Sequence, residues 1–158
     1  MKKVSGITLL LLAVLALAVG CDGVNTSEQL SESVVVRGNG GDPGSLDPAL
    51  AEDIHAFNVL TDLYEGLVAE SATGELRPAV AESWTVSEDE LSYSFLLRSG
   101  AHWSNGDPVT AHDFVRAFQR AADPATASVY GFLLNPLRNF SEIQSGSMPV
   151  DQLAVEAT

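Results

Sequence analysis

Between Leu91 and Ala122 the apolar residues change their spacing from every second position to the period of a helix, and this change does most to restrict the fold. In "ELSYSFLLR", Leu91, Tyr93, Phe95 and Leu97 fall on one side, which predicts a half-buried strand. Trp84 to Val86 lie before it with the acidic "SEDE" between, so the two segments predict a β-hairpin. After Trp103, "SNGDP" is turn chemistry: Asn105 and Gly106 accept left-handed angles, and Pro108 keeps helix from starting early. Thr110 with Asp113 three residues on predicts a capping box. Phe114, Val115, Phe118, Ala121 and Ala122 then share a helical face that Asp123-Pro124 ends. A chain that must be strand and then helix within one short run belongs to a mixed class.

The flanking segments carry weaker versions of the same signals. "SVVVRGNGG" predicts a short buried strand at Val34, Val35 and Val36, halted by glycines, and "GDPGSLDPAL" predicts turns. From Glu52 to Leu67 the pattern is helical, with Phe57, Leu60, Leu63, Tyr64 and Leu67 on one face and Gly66 near the end. "GLVAESATGEL" predicts a strand, a turn around Gly74 and a short return. A further short helix is expected over residues 126–134, stopped at Asn135-Pro136, and a short strand at Leu153 to Val155. Internal repeats are absent.

The N-terminus has its own logic. Lys2 and Lys3 precede the eleven-residue apolar run Leu9 to Val19, which leads into small residues. That arrangement predicts a secretory signal peptide over residues 1–20, because a spanning helix needs about 18 or more apolar residues. "LAVGC" resembles the lipobox of bacterial lipoproteins, although Ala18 stands where leucine is most usual. The resemblance implies cleavage before Cys21 and lipidation of its thiol, and a lone cysteine has no internal partner for a disulfide. Asp22 is the kind of acidic residue that favours inner-membrane retention in some lipoproteins. Residues 21–32 then read as a lipidated, flexible polar tether.

Without Lys2 and Lys3, six basic residues face 21 acidic ones, a net charge of −15. A surface of that sign argues against nucleic acid, whose phosphates need basic partners. The reactive-looking run "HWSNGDPVTAHDFVRAFQR" does not fit a catalytic or metal site either. His102 and His112 lack the spacing of a helical metal pair, and no HExxH, CxxC or GxSxG occurs. Asp113 is accounted for by capping and Asp107 by the turn, so the run reads as scaffold. His55 reads as a packing or surface residue, and Trp84 and Trp103, flanking a hairpin, read as core.

With those residues placed, a family resemblance stands out. "SLDPALAED", "DLYEGLVAE", "AVAESW", "SYSFLLRSGAHWSNGDPVTAHDFVRAFQRAADPATAS" and "YGFLL" together resemble the N-terminal part of the extracytoplasmic solute-binding proteins that serve peptide and nickel ABC importers. The likeness runs from about Val34 to Val155. "DPATAS" and "YGFLL" tilt it toward the oligopeptide branch.

The resemblance implies an α/β fold (α+β mixed), the N-terminal part of a two-lobed periplasmic-binding-protein-like clamp, with a mixed sheet and packed helices. Residues 33–64 would open the large lobe, and 65–158 would form a small accessory domain and the start of the return. Because the family's proteins are several times longer, the sequence is expected to be a fragment that binds peptide poorly or not at all by itself.

The implied function is capture, not turnover: no enzyme, no cofactor and no metal. The implied partners are oligopeptides, an ABC permease in the inner membrane, and the membrane itself through lipid on Cys21. The implied location is the periplasm or cell surface. Two ligand contacts of the family have matching positions here, Glu52 after the "SLDP" loop and Tyr130 after "TAS". From the residues alone, Glu52 reads equally as a helix-start acid and Tyr130 as helix packing. A nickel or metallophore carrier, another small-solute carrier or a peptide sensor of the same fold is the alternative; a secreted hydrolase would need a constellation the sequence lacks.

Overall fold

The computed structural model describes residues 35–158. The readings of residues 1–20, of Cys21 and of the tether to residue 32 lie outside the described residues. The chain divides into two units, Met1–Gly38 and Asn39–Thr158. In the first, Val35 and Val36 are 92% and 73% exposed and in no strand, so the expected buried strand does not form there. Valines fit a strand only when a neighbouring backbone completes the ladder, and composition cannot supply one.

The second unit runs in the order α1 (Ile54–Leu63), β1 (Val68–Glu70), β2 (Leu76–Pro78), β3 (Ala81–Val86), β4 (Tyr93–Leu97), α2 (Ala111–Ala122) and α3 (Phe140–Gln144). Short 3₁₀ turns occupy Pro124–Thr126, Gly131–Leu134 and Val150–Gln152. The mixed helix-and-strand class is the expected one. Both strand ladders among the described residues are antiparallel, β1 with β2 and β3 with β4, so a parallel pairing is not among them.

Helix α1 is shorter than its apolar pattern. Asp53 caps it, and after Leu63 the backbone turns extended at Tyr64. The next residues are captured by the sheet instead: Val80 N–H donates to the Gly66 carbonyl and Ala81 N–H to that of Leu67, each at 3.0 Å. Of the expected apolar face Leu60 is buried and Phe57 half-buried, whereas Leu63 and Tyr64 are exposed.

The β1–β2 hairpin turns at Gly74, whose φ of +83° only glycine takes without strain. The β3–β4 hairpin sets Trp84 opposite Phe95 and Val86 opposite Tyr93. Its face is more open than the alternation suggests: Leu91, Tyr93 and Phe95 are exposed and Trp84 half-buried. Alternation fixes which side chains share a face, and only a covering layer decides whether that face is dry.

The turn before α2 forms as expected. Trp103 N–H donates to the Asp107 carbonyl at 2.8 Å, Gly106 N–H to that of Trp103 at 2.9 Å, and His102 bridges to Pro108. Gly106 carries the left-handed angle; Asn105 instead uses its side chain, donating to the Asp107 carboxylate at 2.7 Å. The capping box is present, with Thr110 N–H and hydroxyl donating to Asp113 Oδ2 at 2.7 and 2.8 Å. Trp103 is not core. The residue is 43% exposed where the turn carries it, beside Asp113.

The helix expected over residues 126–134 does not form as one piece: one 3₁₀ turn ends at Thr126 and another covers only Gly131–Leu134. Ala127 takes a left-handed conformation at φ +53°, which ends the first 3₁₀ turn before the second begins at Gly131. The main apolar core gathers Ala122, Phe140, Ile143 and Leu153, with Phe118, Leu134, Leu137 and Met148 packed around them. Leu153 belongs to this core as a residue following a 3₁₀ turn, so the strand expected at Leu153 to Val155 is not formed. A buried residue at a turn and one in a strand look alike in so short a stretch. A smaller core of Ala51, Ala56 and Leu60, with Phe57 against it, sits under the loop that leads into α1.

Candidate functional site

The loop from Asn39 to Asp53 is drawn onto the N-terminal end of α1 by polar contacts that start with Asp53. Its Oδ1 accepts from Ala56 N–H and its Oδ2 from Gly44 N–H, both at 2.9 Å. The first bond caps the helix; the second ties down a residue nine positions earlier. His55 helps from the first turn, with Nδ1 2.8 Å from the Asn39 carbonyl, while Asn39 Nδ2 donates to the His55 carbonyl at 3.0 Å. His55 is thus a packing residue.

The two N–H donors hold the Asp53 carboxyl below its ordinary value of 3.8, the Ala56 bond contributing most. A carboxyl depressed in the folded state stabilises fully above 3.8 and loses that contribution as pH falls through the lowered value. Asp53→Ala should therefore lower the melting temperature at neutral pH, and the gap from wild type should narrow below pH 3.8. Melting both proteins across a pH series checks this; a gap that stays constant into acid would count against it.

Asp47, in the "SLDP" turn, organises the same loop from its other end. Its carbonyl accepts from Leu50 and Ala51 N–H, and its Oδ1 from Ala49 N–H at 3.0 Å. Arg120, in the last turn of α2, grips the carboxylate with both arms: one nitrogen donates to Oδ1 at 2.6 Å and the other to Oδ2 at 2.5 Å. The Arg120 bond is the largest influence lowering the Asp47 carboxyl, and the Asp47 bond raises the guanidinium in return.

The predicted contact residues lie on this construction. Glu52 is exposed, directly between buried Ala51 and the capping Asp53. Tyr130 is 40% exposed and sets its ring edge-on to Phe57 of α1, with centroids 5.6 Å apart at 65°. Phe132, itself exposed, lies 6.1 Å from Tyr130. The structure thus joins Tyr130 to the helix that follows Glu52 through Phe57, and not through a hydrogen bond to Glu52. What results is an exposed acid and an aromatic cluster with a phenol tip, able to take an apolar side chain and a polar or cationic group.

The residues the sequence reading missed are those that hold this surface. Asp47 and Arg120 are 73 positions apart, and neither segment alone signals the pairing. Phe57 carried an apolar-face signal but nothing that tied it to Tyr130. In the run between His102 and Arg120, the polar groups have local work: His102 Nδ1 lies 2.9 Å from the Gly100 carbonyl, and Asp113 also pairs with Arg116. Among the described residues no group of three or more His, Cys, Asp or Glu is placed to hold a metal ion, and no helix is long and apolar enough to cross a membrane.

Comparison with known proteins gives the family of the chain. The family model described as bacterial extracellular solute-binding proteins, family 5 middle, matches residues 75–158. The periplasmic oligopeptide-binding protein OppA of Haemophilus influenzae is 44% identical over 147 residues, 90% of this chain and 27% of that protein. A probable deoxycholate-binding periplasmic protein of Escherichia coli, YgiS, is 44% identical over 122 residues, 76% of this chain and 23% of that one.

Among solved structures, H. influenzae OppA in complex with the peptide RPPGFSPFR superposes with a TM-score of 0.73 at 45% identity, over 76% of this chain and 24% of that one. The E. coli murein tripeptide binding protein MppA gives 0.71 at 42% identity, over 73% and 23%. The chain spans about a quarter of the length of these relatives. Since the family model takes in more than half of the residues and the fold superposes on these solved binding proteins, the chain belongs to the bacterial extracellular solute-binding proteins of family 5.

Proposed function

We propose that these residues form one wall of the binding cleft of an exported receptor that captures oligopeptides and delivers them to an ABC permease. The observation that carries this reading is the 44% identity to an oligopeptide-binding protein across 90% of the chain. In this reading residues 33–64 open the large lobe and 65–158 supply the smaller domain and the start of the return. Cys21 carries the lipid that keeps the receptor at a membrane outside the cytoplasm.

Capture suits the chemistry of the wall. An extended peptide is held mainly through its backbone, so side-chain pockets can stay roomy and tolerant. Tyr130 offers a flat face and a hydroxyl, and Glu52 attracts a basic side chain or an amino group. A clamp closes because the ligand touches both lobes, which favours the closed state by its differential affinity. Nothing in that cycle requires a bond to be made or broken.

The test uses the native full-length gene product and calorimetric titration with RPPGFSPFR. Saturable binding is expected, weakened about fivefold to tenfold by Tyr130→Ala, which is about 1–1.4 kcal/mol. Glu52→Gln should weaken peptides with a basic N-terminal region more than neutral ones. A second reading, an amphipathic steroid acid as ligand, is favoured by the equal identity to a protein described as deoxycholate-binding. Deoxycholate binding that excludes the peptide, with no peptide binding of its own, would replace the first reading with the second.

A further inference from the structure

We propose that the last turn of α2 is a bracket that fixes Glu52 and Tyr130 relative to one another, with Arg120 as its positioning residue. This rests on the reading of Glu52 and Tyr130 as ligand contacts. Two consecutive residues of that turn reach in two directions. Arg120 holds the Asp47 carboxylate through two bonds, of 2.6 and 2.5 Å. The Asp47 carbonyl in turn anchors Ala51 at 2.9 Å, and Ala51 is 2% exposed. Glu52 follows, trapped between Ala51 and the Asp53 cap, so its backbone has no freedom to shift alone.

The neighbouring residue, Ala121, acts on the other contact. Its carbonyl lies so close to buried Gly131 that a Cβ built there would be 2.8 Å from the oxygen. Gly131 is therefore seated on α2, and Tyr130 is the residue before it. The ring contact between Tyr130 and Phe57, 5.6 Å between centroids, closes the circuit back to α1. Loop, helix end and aromatic turn form a closed ring of contacts, and the ion pair of Arg120 with Asp47 is one link of it.

An exposed pair of this kind contributes little to global stability, since solvent screens it and two long side chains must be ordered. The fork geometry is the exception in one respect. Two parallel bonds fix direction as well as distance, which a lysine's single ammonium does not. Arg120 therefore matters more for where Glu52 sits than for whether the protein folds. Binding groups lose affinity quickly when misplaced by a fraction of an ångström.

The experiment uses the full-length gene product with 3-fluorotyrosine placed at position 130 alone, first without peptide. The ¹⁹F shift reports the ring current of Phe57, and Phe57→Leu supplies the reference for its loss. Arg120→Gln and the milder Asp47→Asn should move the resonance toward that reference. Arg120→Lys should fall between, and the exchanged pair Asp47→Arg with Arg120→Asp should move it back.

Affinity for RPPGFSPFR is then measured on the same proteins. A loss of about tenfold is expected in Arg120→Gln, with a melting temperature close to wild type and recovery in the exchanged pair. An unmoved resonance in both single variants overturns the bracket, and so does a moved resonance with unchanged affinity. If the unaltered protein binds no peptide, the functional reading fails, and the peptide-free ¹⁹F shifts still decide whether the bracket exists.

Discussion

Replacing Phe140 by alanine is expected to remove about 3–5 kcal/mol of stability, a large loss for a single change. Phe140 is 5% exposed and touches the one cluster that joins α2, α3 and the 3₁₀ turn at Val150–Gln152. The aromatic ring is flanked by Ile143 at 2% and Leu153 at 3% exposure. Truncation costs the transfer free energy of the lost atoms and leaves a cavity that these neighbours only partly fill. Against a domain stability of about 5–15 kcal/mol, such a loss is a large share. Urea unfolding of the full-length protein and its Phe140→Ala variant measures it. Ile143→Val, which removes one methylene, should cost about 0.5–1.5 kcal/mol in the same assay. A Phe140→Ala loss no larger than that of Ile143→Val would show that the cluster is not the core of this region.

Gly131→Ala is the second expected large effect, and its sign is not obvious. Alanine is favoured over glycine in a helical position by about 0.5–1 kcal/mol, and it also narrows the unfolded ensemble. Opposing this, the new Cβ would sit 2.8 Å from the Ala121 carbonyl oxygen. That oxygen is backbone in the last turn of α2 and cannot rotate away as the end of a side chain would. Overpacking of this type costs about 1–3 kcal/mol, so the steric term wins and the variant is destabilised. The turn must lift off α2, which carries Tyr130 away from Phe57. Urea unfolding and peptide titration of the same variant read the two consequences, with stability and affinity falling together. A variant as stable as wild type would mean the approach is looser than the geometry states.

Both effects depend on contacts that no local pattern announces, and the same divide runs through the fold. The β3–β4 hairpin, the glycine turns and the box of Thr110 with Asp113 were legible because each is settled within a few residues. Helix α3 was not, since five residues give no periodicity to read and Phe140 and Ile143 are defined by what covers them. The overlong reading of α1 has a related cause. The apolar pattern continues past Leu63, but the backbone there is claimed by hydrogen bonds to Val80 and Ala81. The candidate site divides likewise: resemblance pointed to Glu52 and Tyr130, and neither residue signals Arg120 or Phe57.

What the amino-acid order determined unaided is therefore local: where chain reverses, which helix is capped, which side chains share a face, and the family likeness those segments spell. Tertiary structure alone decided which faces are dry, where α1 stops, and how Asp47 meets Arg120 across 73 positions. The reason is physical. Backbone sterics and short-range hydrogen bonds act between residues close in sequence, whereas burial and ion pairing depend on distance in space, which exists only once the chain has closed its loops.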